Sequence, residues 1–166
     1  MISRRMMLAG GGVLALSACS GNFEDYRGPE VTRVMVFKGR RRMYLLNDDD
    51  VLKSYLIDLG FAPDGPKMVE GDGKTPEGRY IIDRRNPNSD FHLSIGISYP
   101  NARDIARARV MGKKPGGDIF IHGRGPRVST KGEMPDWTAG CISVTDREIE
   151  EIYAMVRNGT VIDIYP

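Results

Sequence analysis

The sequence predicts a mainly β domain with a few short helices. Apolar and polar residues alternate in several short runs, and clusters of Gly, Pro, Asn or Asp bound each run. Two longer stretches instead carry apolar residues at helical spacing. Residues 20 to 166 provide enough chain for one domain with its own core, and they contain no internal repeat.

The first predicted element is an antiparallel hairpin. "VTRVMVFK" (31–38) alternates apolar and polar residues, and "GRRRMYLLN" (39–47) follows after a tight turn. Four more strand-like runs come next: "LKSYLIDLG" (52–60), "GRYIIDRR" (78–85), "FHLSIGIS" (91–98) and "GDIFIHG" (117–123). A last strand, "TVIDIYP" (160–166), ends the sequence. Together these runs predict that β structure dominates.

Two helices are predicted between these strands. In "NARDIARARVMG" (101–112), apolar residues recur at helical intervals at Ala102, Ile105, Ala106 and Val110. In "TDREIEEIYAMVRNG" (145–159), Thr145 is the expected N-cap and Glu148 closes a capping box. Gly159 is the expected C-terminal cap. The expected apolar face of this second helix consists of Ile149, Ile152, Tyr153 and Val156.

Residues 1–19 are predicted to be an export signal. Arg4 and Arg5 precede an apolar run from Met6 to Leu16, which is shorter than the roughly 20 residues that span a bilayer. The stretch 16–19, "LSAC", resembles the lipobox of bacterial lipoproteins, so Cys19 is the expected lipid anchor. An ordinary signal with a chance cysteine is the alternative. The paired arginines leave the export route open.

A polar tether is predicted at residues 20–30, because Gly28 and Pro29 interrupt a polar stretch. Loss of Arg4 and Arg5 with the signal reduces the 24 Lys and Arg to 22, equal to the 22 Asp and Glu. The remaining chain is neutral, so we expect no nucleic-acid partner. Ser20, next to the predicted anchor, resembles the outer-membrane sorting choice of enterobacterial lipoproteins, so we expect a periplasmic protein attached by lipid to the outer membrane rather than the inner one.

Lipidation of Cys19 would leave Cys141 as an unpaired thiol in an oxidising compartment. It is either a small buried residue or a residue kept for its reactivity. His122 ends a predicted strand 19 residues earlier and can act as the base for a thiol, whose ordinary pKa is about 8.5. The amides of Gly140 and Cys141 are candidate oxyanion donors. These groups together predict an acyl-transfer site, against the alternative of two packing residues.

The motif around this pair resembles the catalytic signature of the YkuD-type L,D-transpeptidases, also called the ErfK/YbiS/YcfS/YnhG family. The matching residues are His122-Gly123 and the "TAGC" stretch, 138–141. "GDGKTPEGRYII" (71–82) is similar to a strand-entry segment of the family, and "NGTVIDIYP" (158–166) is similar to its closing strand. The resemblance covers residues 31–166. "LSIGISYPNARD" (93–104) further resembles the subgroup that includes the peptidoglycan–lipoprotein amidase.

The resemblance implies a β-sandwich or barrel whose substrate is a peptidoglycan stem peptide. Cys141 would attack the carbonyl of the L-centre of meso-diaminopimelate and form a thioester. His122 would move the proton, and the Gly123 carbonyl would orient it. An amine would then complete L,D-transpeptidation, or water would complete hydrolysis. Expected substrate-side residues are Thr138, Arg124, Arg127, His92 and Tyr99; for the two arginines and His92, ordinary loop and strand roles are the alternatives.

Two positions depart from the family pattern. Ala139 replaces the usual histidine before the Gly-Cys pair, and Ser143 replaces an Asn or Arg two places after the cysteine. The substrate contacts of cross-linking members are therefore in doubt here. A hydrolase of the same family, which releases wall-linked protein or cuts L,D-type bonds, is one alternative. An inactive peptidoglycan-binding lipoprotein is the other.

No metal or other cofactor is expected. Two histidines and one free thiol at these positions lack the spacing of metal ligands. Expected partners are peptidoglycan stem peptides, the membrane through the lipid on Cys19, and a wall-linked lipoprotein or outer-membrane protein.

Overall fold

A computed structural model describes residues 26–126 and 135–166. Within those residues the chain forms one curled sheet of eight strands and two helices. In chain order the elements are β1 (Arg33–Phe37), β2 (Arg42–Asn47), β3 (Asp50–Leu56), β4 (Gly78–Ser89), β5 (His92–Ile97), α1 (Ala102–Val110), β6 (Phe120–His122), β7 (Ile142–Ser143), α2 (Asp146–Met155) and β8 (Val161–Tyr165). The mainly β prediction is confirmed. The predicted signal, its Cys19 and most of the tether lie outside the described residues.

The strands follow the order β3-β2-β1-β8-β4-β5-β6-β7. The predicted hairpin of β1 and β2 is present, with Arg33 opposite Leu46 and Phe37 opposite Arg42. The closing strand β8 inserts parallel to β1 and antiparallel to β4. A strand from the end of the sequence therefore joins the first hairpin to the half of the sheet that contains His122.

Strand β4 links the two halves of the sheet. Its first residues pair with β8, and the register with β5 shifts between Ile82 and Arg84 and again between Asn86 and Ser89. Such irregularities bend a strand and increase its twist. The sheet therefore curls at β4, and β5, β6 and β7 form a separate wall on which the site is built.

The core lies on the inner face of the curled sheet, because apolar side chains alternate along each strand. Ile95, Ile121 and Ile142 are fully buried on three neighbouring strands. Helix α2 packs against β5 and β6, and its predicted apolar face of Ile149, Ile152, Tyr153 and Val156 is buried. Its predicted N-cap and capping box at Thr145 and Glu148 are present. Helix α2 therefore fixes the strand that ends in His122.

The prediction of Gly159 as the cap of α2 is wrong. The helix ends at Met155 and is followed by an extended Val156. Gly159 lies three residues after Val156, and its amide donates to the Ile82 carbonyl instead of to the helix. The Arg85 guanidinium lies 3.8 Å from the centre of the Tyr153 ring and donates to the carbonyls of Tyr153 and Val156. A cation from β4 therefore satisfies the C-terminal carbonyls that a glycine cap would otherwise serve.

Helix α1 is present, but its apolar residues do not form a buried face. Ile105 and Val110 are exposed, whereas Asp104 and Ala108 are buried. Asp104 accepts hydrogen bonds from the Tyr80 hydroxyl and the Asn101 amide, which offset the cost of its burial. In the described part of the chain, neither helix is both long and apolar enough to cross a bilayer.

Candidate active site

The candidate site lies on the face of β5, β6 and β7 opposite the core. Ser94 of β5 pairs in register with His122 of β6, and His122 pairs with Ser143 of β7. Residues in register project to the same face of a sheet. A cavity of about 280 Å³ opens on this face. Its lining residues are Asn86, Ser89, Asp90, Phe91, Ser94, Asp118, Phe120, His122 and Cys141. The two residues of the predicted catalytic pair thus share one cavity.

His122 is held as a neutral base. Its Nδ1 lies 2.6 Å from the Gly123 carbonyl oxygen. A carbonyl can only accept, so Nδ1 carries the hydrogen and Nε2 has a free lone pair. Burial lowers the pKa of His122 from its ordinary value, although the bond to Gly123 opposes this shift. At neutral pH the ring is therefore uncharged and able to accept a proton.

Two aromatic side chains fix the plane of the His122 ring. Phe91 stacks on it with ring centres 4.5 Å apart, and Trp137 meets it edge-on at 5.6 Å. These contacts exclude water from one side of the imidazole and limit its rotation. The Trp137 indole nitrogen is buried and has no hydrogen-bond partner among the described residues. Trp137 therefore serves here as a packing surface for the base.

Gly123 needs to be a glycine because of its neighbours. A Cβ there would lie 2.5 Å from Asp146 Oδ1 and 2.8 Å from the Phe91 carbonyl oxygen. Asp146 Oδ1 accepts the amides of Arg124 at 2.7 Å and Gly125 at 2.9 Å. The first residue of α2 thus holds the loop after His122, which keeps the Gly123 carbonyl beside Nδ1.

Cys141 is half-buried at the end of the cavity nearest β7. Its sulfur lies 3.5 Å from the Asp118 carbonyl oxygen and accepts a hydrogen bond from the Phe120 amide. Burial raises the pKa of the thiol; the Phe120 amide, Lys67 and Arg84 lower it by smaller amounts. The net direction is upward, so the resting group is a protonated thiol. Attack on a carbonyl therefore requires a base, and His122 is the neutral base in the same cavity.

Thr138 organises the turn that contains Cys141. Its buried hydroxyl donates to the Cys141 carbonyl at 2.8 Å and accepts the Gly140 amide at 3.1 Å. The two predicted oxyanion donors therefore differ. The Gly140 amide already donates to the Thr138 hydroxyl, which leaves the Cys141 amide as the remaining candidate. Thr138 was expected on the substrate side, but its hydroxyl is committed to the turn.

Asp136 anchors the same turn to the rest of the fold. Its carboxylate binds Arg41 through Nε at 2.9 Å and Nη2 at 2.6 Å, and it accepts the Leu59 amide at 3.0 Å. A two-pronged arginine contact of this kind is among the stronger ion pairs in proteins. No local sequence pattern predicts this anchor, because Arg41 lies 95 residues from Asp136.

The segment 71–82 supports Cys141 from the other side. The buried Lys38 ammonium binds the carbonyls of Gly65 at 2.6 Å and Thr75 at 3.0 Å, and Glu77 Oε1 at 2.8 Å. Burial lowers the pKa of Lys38, while Glu77 opposes this shift. The segment places the Lys74 carbonyl oxygen where a Cβ on Gly140 would lie 2.7 Å from it. Gly140, with φ +135, therefore cannot be replaced without moving this contact.

Other predicted substrate-side residues lie outside the cavity lining. The Arg124 guanidinium pairs with Asp58 at 2.5 Å. His92 Nε2 pairs with Glu150 at 2.7 Å, and the buried Tyr99 hydroxyl donates to the Pro115 carbonyl at 3.0 Å. The structure therefore does not bring His92 or Tyr99 to Cys141, because each side chain is committed to another partner. Arg127 lies outside the described residues.

The two departures from the family pattern flank Cys141 differently. Ala139 is exposed beside it, so its methyl offers no hydrogen bond to a ligand there. Ser143 is buried, pairs in register with His122 and is not among the described residues that line the cavity. Across the described ranges, no three His, Cys, Asp or Glu side chains come together in a group able to hold a metal ion.

Comparison with known proteins identifies the domain. Residues 31–164 match the family model described as the L,D-transpeptidase catalytic domain, YkuD. "Putative L,D-transpeptidase YafK" of Escherichia coli K12 is 30% identical over an alignment of 146 residues, and the match covers 80% of this chain and 53% of that protein. The chain thus spans about half the length of the curated relatives it matches.

Solved structures share the fold. The helical cell shape determining protein Pgp2 of Campylobacter jejuni is 28% identical with a TM-score of 0.62; the match covers 84% of this chain and 49% of that one. An L,D-transpeptidase of Mycobacterium smegmatis, 14% identical, superimposes with a TM-score of 0.55 over 82% of this chain and 59% of its own. At that identity the second likeness concerns the fold alone.

Proposed function

This chain belongs to the L,D-transpeptidase catalytic domain family, and on that premise we propose that it is a cysteine acyltransferase acting on peptidoglycan stem peptides. One observation carries the proposal: a neutral His122, fixed by the Gly123 carbonyl, shares a cavity with the Cys141 thiol. This arrangement provides a nucleophile, a base and a group that orients the base, which are the parts that covalent acyl transfer needs.

The mechanism begins with a protonated thiol and a neutral imidazole. As the Cys141 sulfur attacks the carbonyl carbon of the L-centre of meso-diaminopimelate, His122 Nε2 takes the thiol proton. The Cys141 amide donates to the developing oxyanion. The carbon–nitrogen bond to the following residue then breaks, and the imidazolium gives its proton to the departing amine. A thioester on Cys141 remains.

The second half-reaction reverses these roles. An incoming amine or water attacks the thioester carbonyl, and His122 takes a proton from this nucleophile. The carbon–sulfur bond breaks, and the imidazolium returns the proton to the Cys141 sulfur. With an amine the product is a new L,D-type bond, which is transpeptidation. With water the product is a free carboxylate, which is the amidase-like hydrolysis.

Ala139 supports hydrolysis as a second candidate function. Its exposed methyl stands beside Cys141 where the family usually has a histidine, so it offers no hydrogen bond to an acceptor amine. The third alternative, an inactive wall-binding lipoprotein, is disfavoured by the ordered contacts of His122.

We propose that the protein lies in the periplasm, attached through lipid on Cys19 to the outer membrane. By analogy with Pgp2, named for helical cell shape, we propose a role in cell shape through the wall.

Incubation of the purified protein with isolated sacculi tests this proposal. We expect muropeptide changes detectable by mass spectrometry: new cross-links or exchanged terminal residues for transfer, and released protein or lost diaminopimelate bonds for hydrolysis. The matched control is Cys141→Ala, in which these changes should vanish. Sacculi of several types left unchanged by the active protein would instead favour the wall-binding alternative.

A further inference from the structure

Arg84 lies across the sheet toward Cys141, although the proposed chemistry does not use it. It pairs in register with Gly96 of β5, and Gly96 pairs with Phe120 of β6. A Cβ on Gly96 would lie 2.4 Å from Arg84 Cγ. The absence of a side chain at Gly96 therefore creates a groove over β5, and the Arg84 side chain occupies it. The groove directs the guanidinium from β4 toward the strands that hold the site.

The guanidinium is held in place over Phe120, which lines the cavity. Arg84 Cζ lies 4.5 Å from the centre of the Phe120 ring, a cation–π contact. Nη1 bonds both carboxylate oxygens of Asp83 at 3.0 Å. Nη2 lies 3.5 Å from Asp118 Oδ1, longer than a charge-assisted hydrogen bond of about 2.7–2.9 Å. The Nη2 edge therefore faces the cavity rim with its donors incompletely used.

Asp118 places an opposite charge at the same rim. Its side chain is 93% exposed and lines the cavity, while its backbone adopts φ +53. Its carbonyl oxygen is the one 3.5 Å from the Cys141 sulfur. A cation and an anion thus stand side by side within reach of the nucleophile. Both charges reach the sulfur electrostatically, since Arg84 lowers the thiol pKa and Asp118 raises it.

A ligand with a carboxylate and an ammonium on one carbon complements such a pair. The side chain of meso-diaminopimelate ends in this group: three methylenes separate the reacting L-centre from a free amino-acid end. Neighbouring strands lie about 4.8 Å apart, and Phe120 is on the strand next to the one that follows Cys141. A stem whose L-centre is at Cys141 can therefore extend its side chain over Phe120.

We propose that Arg84 and Asp118 form a subsite for the free amino-acid end of the diaminopimelate side chain, in which Arg84 binds the carboxylate and Asp118 the ammonium. The inference rests on the proposed function, which supplies the substrate. On binding, the ligand carboxylate takes up the Nη2 donors of Arg84, and the ammonium takes the place of Arg84 beside Asp118. The subsite thus selects stems with diaminopimelate over stems with lysine at the third position.

Titration calorimetry on the Cys141→Ala protein tests the subsite without turnover. Three uncleaved stem tetrapeptides serve as probes: one with meso-diaminopimelate, one with its side-chain carboxylate amidated, and one with lysine. Each probe keeps the ammonium, but the first alone keeps the carboxylate. We expect the first to bind about tenfold more tightly than the other two, as for a partly exposed charged hydrogen bond.

Variants in the Cys141→Ala background separate the two roles. Arg84→Gln should remove the tenfold preference, and Arg84→Lys, which keeps the charge but not the planar fork, should retain part of it. Asp118→Asn should weaken all three probes by similar factors. Arg79→Gln, on the same strand but paired with Asp163, is the matched control and should change nothing.

The proposal is overturned if Arg84→Gln weakens the three probes equally, if it leaves the preference intact, or if the Cys141→Ala protein shows no preference. These outcomes are independent of whether the active protein modifies sacculi, because no bond is cleaved in the titration. A failure of the subsite is therefore distinguishable from a failure of the acyl-transfer function.

Discussion

Replacement of His122 by alanine is expected to lower the rate of Cys141 acylation at pH 7 by about 10²–10⁴-fold, the usual range for a lost general base. The resting thiol is protonated because burial raises its pKa, so it depends on His122 to remove the proton. The measurement is the release of the leaving amine from a synthetic stem peptide. The thermal unfolding midpoint of the variant should be measured as a control for lost stability, because the His122 ring also packs between Phe91 and Trp137.

The dependence of the reaction rate on pH should also report the protonation of His122. Burial lowers the pKa of His122, so the ring stays neutral down to pH values below the ordinary histidine range. Activity should therefore persist below about pH 6.5, the ordinary pKa of histidine, and fall only at a lower pH, where the imidazole becomes charged. The His122→Ala protein should lack this acidic limb. The matched control is His92→Ala, because His92 pairs with Glu150 outside the cavity and its loss should leave the rate unchanged. A His92 variant as impaired as the His122 variant would contradict the assignment.

Gly60→Ala is expected to impair both stability and activity. A Cβ at this position would lie 2.1 Å from the Gly73 carbonyl oxygen and 2.9 Å from Gly140 Cα, so backbone has to move on both sides. Overpacking of this kind costs about 1–3 kcal/mol of unfolding free energy. The movement reaches the residue before Cys141, and a misplacement of about 1 Å can reduce a rate about 100-fold. Denaturant unfolding and stem-peptide turnover measure the two effects.

Gly117→Ala is the matched control for Gly60. It also changes a loop glycine near the site, next to Asp118, but no described atom beyond its two chain neighbours lies within 4 Å of the added Cβ. Its unfolding midpoint and turnover should match those of the original protein. If Gly60→Ala proved as benign as Gly117→Ala, the close backbone packing under Gly140 would not be what positions Cys141.

Local sequence patterns predicted the elements whose stability is local. Alternation over "VTRVMVFK" predicted β1, and Thr145 with Glu148 predicted the start of α2, because strand faces and helix caps involve neighbours in sequence. The pairing of His122 with Cys141 also followed from a short motif. Helix α1 shows the limit: Asp104 is buried because Tyr80, far away in sequence, donates to it.

Parts of the site that depend on strand pairing were not predictable from these patterns. Arg84 reaches Phe120 because β4, β5 and β6 align with a glycine between them, and a register shift in β4 sets that alignment. Asp136 holds the Cys141 turn through Arg41. Arg41 lies in the turn between β1 and β2, far in the strand order from β7, which follows Cys141. No motif encodes such contacts. In the sequence, Lys38 follows an alternating strand and would be predicted to be solvent-exposed. Its burial depends on the loop carbonyl of Thr75, 37 residues away, which it binds.

The proposed mechanism passes through a thioester between Cys141 and a peptidoglycan stem. Mass spectrometry of the intact protein, quenched in acid soon after mixing with a synthetic diaminopimelate stem tetrapeptide, tests it most directly. We expect an added mass equal to the stem up to and including diaminopimelate less one water, located by peptide mapping on Cys141 and absent from the Cys141→Ala protein. An acyl group on another residue, or stem turnover that persists in the Cys141→Ala protein, would contradict it.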